Sequence, residues 1–404
     1  MQGFDFQNLG LLLFVATIVA IVTRRLRLQY SVGLVAAGIA LALLAPGSSP
    51  PLTPNLIYFV FLPPLVFEAA IQIPWRPFRR DMPLLLALVT LGVILAAGTV
   101  AVGMHYLSGW SWIGAGLFGV LIAATDPVAV IATFRQVKVP DRLHLLVEAE
   151  SLLNDGVAAV GFAILVGVAG GGAAGPGAIG LQLFTTVAGG VVAGATVAVP
   201  LILLAGRSDD FLVEITLTML IAYGSFLVAE HFHASGVLAT LTAGMIVGNW
   251  GLLGAFTTQG RASVLRHWEY VAFLINSLIF MLIGGREATM PILIVIESAV
   301  LAVALSLLGR AVAVYPVTLA FARSSLRIPW AYKHVLFWGG LRGALALGLA
   351  LALPGTIRER DEIVVVAFAV VAVSIFVQGL TMPWLIGKLG LNKPEPGPET
   401  EPRA

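Results

Sequence analysis

The sequence predicts an all-α polytopic membrane protein with about 13 transmembrane helices, inverted repeats and two discontinuous crossing helices. Three observations carry this. Of 404 residues, 59% are hydrophobic and only 11% charged, with mean hydropathy +0.97. A soluble chain carries about 25% charged residues, so this one lacks the polar groups to clothe a soluble surface. The apolar residues fall into runs of about 20, the length of a membrane span. The basic residues fall almost wholly on one side of those runs.

Cutting the uncharged runs at Pro and Gly clusters gives spans at roughly 7–23, 29–45, 54–72, 82–107, 111–134, 143–169, 178–205, 211–230, 235–250, 268–285, 290–322, 331–353 and 361–388. The Pro- and Gly-containing stretch from Pro46 to Pro54 divides the second from the third. The Gly-rich stretch from Gly170 to Gly177 divides the sixth from the seventh. Met1 to Gln7 contains no Lys or Arg, so the positive start of a cleavable signal is missing. Of 23 Lys and Arg, 18 lie on the side of Arg24, Arg25 and Arg27. Three, Arg286, Arg358 and Arg360, lie on the other, and Arg310 and Arg342 fall inside spans. The positive-inside rule therefore places the N-terminus outside and the C-terminus in the cytoplasm. The Pro- and Glu-rich tail from Asn392 reads as disordered. Cysteine is absent, which excludes disulfides and thiol chemistry. The composition also excludes a cytosolic enzyme and a nucleic-acid binder.

Ionisable residues inside a membrane are expensive and default to functional hypotheses. In the fifth span, Pro127 removes a backbone donor and disfavours helix at Asp126, so Thr125-Asp126-Pro127 predicts a break. A broken helix frees backbone groups to meet an ion. For this tripeptide alone, a plain kink around a hydrogen-bonded Asp is an equal reading. In the sixth span, Ser151 and Asp155 share one helix face, and Glu150 and Asn154 the adjacent one. Such a polar stripe must face a cavity or another helix. Gly156 reads as room beside the Asp155 carboxylate. Arg310 in the eleventh span cannot deprotonate and needs a buried anion, for which Glu150 is the candidate. In the twelfth span, Gly339-Gly340-Leu341-Arg342-Gly343 predicts a second break. Glu68 in the third span could hold an ion or snorkel. Glu148 reads as a funnel or interface residue, and His231 and His233 as surface histidines.

Spans two to seven and eight to thirteen start on the same side, so they cannot be inverted repeats. With span seven set aside, spans one to six and eight to thirteen have opposite orientations. Their fifth members are the two broken spans, a signature of secondary transporters.

Together, Thr125-Asp126-Pro127, Glu150-Ser151-Leu152-Leu153-Asn154-Asp155-Gly156 and Gly340-Leu341-Arg342-Gly343 resemble the NhaP and sodium–proton exchanger branch of the monovalent cation:proton antiporters. The resemblance runs from Phe61-Leu62-Pro63-Pro64 to the end of the last span. It implies a scaffold and dimer domain at 1–73 and 211–288, a core transport domain at 82–170 and 290–390, a linker helix at 178–205, and a tail at 391–404. It implies ion and proton binding at Asp155, Asp126, Thr125, Ser151, Asn154 and Glu68, all but Asn154 as Na+ ligands. Glu150 and Arg310 form an ion pair, and Arg342 steadies the acidic site. The short tail puts regulation by a large cytoplasmic region in doubt.

The implied function is exchange of Na+, and of Li+, for H+ by a homodimer in the cell membrane, with no cofactor and no nucleic-acid partner. Asp155 can hold either a proton or a cation, but not both. Asn154 cannot carry a proton where a second Asp could, so one-for-one electroneutral exchange is expected. K+/H+ exchange and a passive cation channel are the rivals. An intramembrane hydrolase lacks both a Gly-x-Ser-x-Gly serine and a paired-histidine metal motif.

Overall fold

The computed structural model describes residues 6–26, 28–44, 52–172 and 175–391. Much of the Pro46–Pro54 divider, part of the glycine-rich divider and the tail expected from Asn392 lie outside the described residues. The described residues are helical throughout, joined by turns. The first group runs α1 (Phe6–Leu26), α2 (Tyr30–Leu44), a π-helical segment (Leu56–Phe61) and α3 (Leu62–Gln72). Next come α4 (Trp75–Ala87), a π segment (Leu88–Gly92) and α5 (Val93–Ser108), which form one long rod. The fifth expected span is two pieces, α6 (Trp112–Ala123) and α7 (Val128–Val137). Then follow α8 (Asp141–Ala169), α9 (Pro176–Ala205), α10 (Phe211–His231), α11 (Gly236–Ile246) with a π segment (Val247–Ala255), and α12 (Thr258–Glu287). The chain ends with a 3-10 turn (Ile292–Val295), α13 (Ile296–Ala320), the pieces α14 (Trp330–Trp338) and α15 (Ala344–Leu351), then α16 (Arg360–Val373), a π segment (Ser374–Gly379) and α17 (Leu380–Lys388).

Each expected run thus coincides with a helix, a continuous rod or a pair of helix pieces. Among the described residues, seven helices are long and apolar enough by themselves to cross a membrane. The remaining runs are shorter apolar helices or broken pieces. The molecule carries its apolar groups on the outside as well as the inside: Phe14, Ile94, Phe184 and Leu203 are exposed. Water would penalise that surface, whereas lipid does not.

Local chemistry sets the helix starts. Ser111, Asp210, Ser235 and Thr257 each accept a backbone N–H in the first turn of α6, α10, α11 and α12. Each supplies an acceptor for an amide the helix cannot pair itself. Gly38 of α2 and Gly284 of α12 lie against each other's helix backbone, with no space for a Cβ at either. Small residues let membrane helices approach this closely.

Two neighbourhoods result. Helices α1, α2, α3, α10, α11 and α12 pack among themselves, with α9 against α10 and α11. Helices α4 to α8 and α13 to α17 form the other group. Asp81 ties the second group together at one end. It is fully buried and receives both the Nε and the Nη2 of Arg142, at 3.1 and 2.7 Å. Arg142 also donates to the Leu326 and Arg327 carbonyls.

Candidate functional site

The site is built where the two broken helices meet. Residues Ala124 to Pro127 and Gly340 to Gly343 interrupt the helices, so α6 and α14 end before them and α7 and α15 begin after them. The Asp126 N–H donates to the Leu341 carbonyl at 2.7 Å, joining one break to the other through the main chain. Four helix ends therefore converge. Two expose carbonyls and two expose amides, which in a bilayer interior must find partners.

Side chains supply them. At the end of α6, Arg342 Nη1 donates to the Ala123 and Ala124 carbonyls at 2.9 and 3.1 Å, and Asn154 Nδ2 donates to Ala123 at 2.9 Å. At the end of α14, Arg310 donates to the Leu336 carbonyl through Nε and Nη2, at 3.2 and 2.8 Å. Both guanidinium groups thus sit at the negative ends of helices, where cations are favoured. At the start of α7, Asp126 Oδ1 accepts the Val128 N–H at 2.9 Å. It caps its own half-helix at the positive end.

Arg310 and Glu150 form a bidentate buried pair at 2.6 and 2.9 Å. The expected partnership is present, and two parallel N–H···O bonds add direction to charge. Gly340 lies beside this guanidinium; a Cβ there would come within 2.6 Å of Arg310 Nε. Gly343 lies against Asp126, whose carboxyl would overlap any added Cβ. Two glycines of the second break therefore hold open the space for Arg310 and Asp126.

Asp155 accepts from the Thr125 amide, but its Oδ1 is buried and has no hydrogen-bond partner among the described residues. Asp126 is close enough for the two charges to act on each other. A cavity of about 900 Å³ opens onto both. Thr125, Asp126, Asp155, Glu68, Glu148 and Gly343 line it, and it extends to Thr23 and Arg24 at the end of α1. Glu68 accepts a hydrogen bond from Gln72.

The expected site residues separate into two layers. Asp155, Asp126, Thr125 and Glu68 face the cavity. Ser151 and Asn154 are buried behind it. The Thr125 hydroxyl donates to Ser151 Oγ at 3.1 Å and accepts from Asn154 Nδ2 at 3.2 Å. Glu148 is buried beside His144, 3.8 Å away. Arg342 is buried inside the protein, and its guanidinium donates to the main-chain carbonyls of Ala123 and Ala124. Gly156 corrects an expectation. A Cβ there would meet the Leu238 side chain of α11 at 2.6 Å, so this glycine makes room for a neighbouring helix, not for the carboxylate. Among the described residues, His231 and His233 belong to no group of three or more His, Asp or Glu that could hold a metal.

Paired broken helices crossing beside a carboxylate-lined cavity define a secondary transporter. Sequence comparison then narrows the class. The family model for the sodium/hydrogen exchanger, transmembrane, matches residues 11–388, and the chain belongs to that family. It is 37% identical over 392 residues to the Na(+)/H(+) antiporter NhaS2 of Synechocystis, across 96% of this chain and 72% of that protein. It is 38% identical over 348 residues to the Na(+)/H(+) antiporter ApNhaP of Aphanothece halophytica, across 84% of this chain and 66% of that protein. The solved structure of the sodium proton antiporter MjNhaP1 from Methanocaldococcus jannaschii shares the fold. It overlays with a TM-score of 0.77 at 19% identity, covering 98% of this chain and 100% of that one.

Proposed function

We propose that this protein exchanges Na+, and also Li+, for H+ one for one, by alternating access of the site at Asp155. The observation that carries this is the Asp155 carboxyl: it faces a cavity, lies beside a second carboxyl, and keeps one oxygen without a protein partner among the described residues. Such an oxygen can take a proton or coordinate a small hard cation, and each excludes the other. Asp126 and Glu68 add oxygens on the same cavity wall. Ser151 and Asn154 support the site by fixing the Thr125 hydroxyl. Glu150 and Arg310 are a permanent pair and carry no proton across.

The charge asymmetry of the loops supports an N-terminus outside and a C-terminus in the cytoplasm of the cell membrane. That the cavity reaches Arg24, on the basic side, supports a site open toward the cytoplasm. On the opposite side, Gly348 of α15 lies against Ile57, and Gly156 against Leu238. The α4–α8 and α13–α17 group is the moving core and the other group the dimer scaffold. The role that follows is control of cytoplasmic pH and sodium.

The test is proton movement in proteoliposomes, followed with a pH dye during pulses of Na+, Li+ and K+ across pH. Na+ and Li+ should drive protons and Asp155→Asn should abolish the signal. Activity with K+ alone would transfer the reading to potassium exchange. Cation flux without an opposing proton flux would make the protein a channel. A valinomycin-imposed potential that changes the rate would sink the one-for-one ratio.

A further inference from the structure

The geometry points to Ser374 and Gln378, in the π segment between α16 and α17, as positioning residues for cation binding at the crossing. This rests on the antiport reading above. The second break leaves main-chain groups that its own helix cannot pair. Ser374 Oγ accepts the Arg342 N–H at 3.1 Å and lies 3.3 Å from the Arg342 carbonyl. Gln378 Nε2 donates to the Trp338 carbonyl at 3.0 Å. One side chain thus holds the far end of the break and the other holds its near end. Trp338 Nε1 adds a bond to Thr381 Oγ1 at 2.8 Å, from the following turn.

The local helix form makes this possible. A π-helical turn carries an extra residue, and such turns recur at functional sites. It puts Ser374 and Gln378, four residues apart, against the same extended strip. Both are buried in a mainly apolar span, where a polar side chain without a partner is costly. Gly379 lets the turn press in, since a Cβ there would stand 2.6 Å from Gln29 Oε1 and 3.7 Å from Leu341 Cδ2.

The strip they hold carries the site. Leu341 supplies the carbonyl bonded to the Asp126 N–H, Arg342 caps α6 just before Thr125, and Gly343 abuts the Asp126 carboxyl. A strip that relaxes by a few tenths of an ångström moves all three. Neither Ser374 nor Gln378 lines the cavity, so they act through the strip and not on the ion.

The experiment is a Na+ titration of exchange in proteoliposomes, normalised to folded protein, for the parent, Ser374→Ala, Ser374→Thr and Gln378→Ala. A positioning role predicts a KM for Na+ raised about fivefold or more by Ser374→Ala, with Vmax within about twofold of the parent. Gln378→Ala should shift KM the same way. Ser374→Thr keeps the hydroxyl and should restore the parent KM. Unchanged KM in both alanine variants, whatever happens to Vmax, overturns the proposal, as does a threonine variant as impaired as the alanine one. If Ser374→Ala does not fold, Gln378→Ala decides alone. A parent without Na+-driven proton movement, or full exchange by Asp155→Asn, would instead overturn the antiport reading and this inference with it.

Discussion

The break at 124–127 and the break at 339–343 both turn helix ends toward one point, yet they are built from opposite materials. The first is made by proline and capped by its own carboxylate, Asp126, on the Val128 amide. The second is made by glycine and has its ends satisfied by groups from elsewhere: Arg310 from α13 on the Leu336 carbonyl, Ser374 and Gln378 from the span that follows. Its own charge, Arg342, reaches across to cap the first break. The first break presents a group that can change its charge. The second presents one that cannot. Position in the fold is matched while chemistry is divided: one arm carries a group able to change its charge, the other a fixed charge.

Several substitutions would separate these roles. Gly343→Ala should do the greatest damage, because the new methyl overlaps the Asp126 carboxyl. Exchange should fall about 100-fold, since misplacement of this order can cost that much; a variant within twofold of the parent would show that the breaks are not in register. Arg310→Lys keeps the charge but cannot hold Glu150 with two parallel bonds while covering Leu336. Loss of about 3 kcal/mol of stability is expected, near the lower end for breaking a buried pair, and thermal unfolding in detergent would read it. Asp126→Asn sharpens the contrast further. Its side-chain oxygen can still cap α7, so stability should change by less than about 0.5 kcal/mol, whereas Na+ affinity should drop with the lost charge. A variant that unfolds instead would show that the Asp126 charge, and not only its cap, holds the fold.

The smallest effect concerns the start of α6. Burial alone would raise the Glu359 carboxyl, but the amide and hydroxyl of Ser111, each at 3.0 Å, hold it below the ordinary glutamate value. Its stabilising contribution is therefore complete at neutral pH and fades as pH falls through and below the ordinary glutamate range. Glu359→Gln should narrow the difference in melting temperature between pH 7 and pH 4, and an unchanged difference would remove this contact from the account.

Much of this was legible in the residues themselves. Pro127 and the Gly339–Gly343 cluster announce breaks because proline and glycine act locally. An intramembrane Arg310 demands an anion, and Glu150 was within reach of that argument. What lay beyond it depended on how the helices are rotated and packed. Gly156 looked like space for its neighbour in sequence, yet its α-carbon faces Leu238. Arg342 looked like a partner for acid, yet unsatisfied carbonyls reach it first. Ser374 and Gln378 lie in a mainly apolar run. Their only signal was being polar there, and that signal does not name a partner.

The bond from the Asp126 amide to the Leu341 carbonyl has one more consequence. It involves no side chain, so a scan through all twenty amino acids would leave its two atoms in place at nearly every position. Only proline at 126, or a main-chain ester in place of that amide, deletes the donor. Most point mutations can therefore shift this fastening between the two halves of the crossing but cannot delete its donor or acceptor.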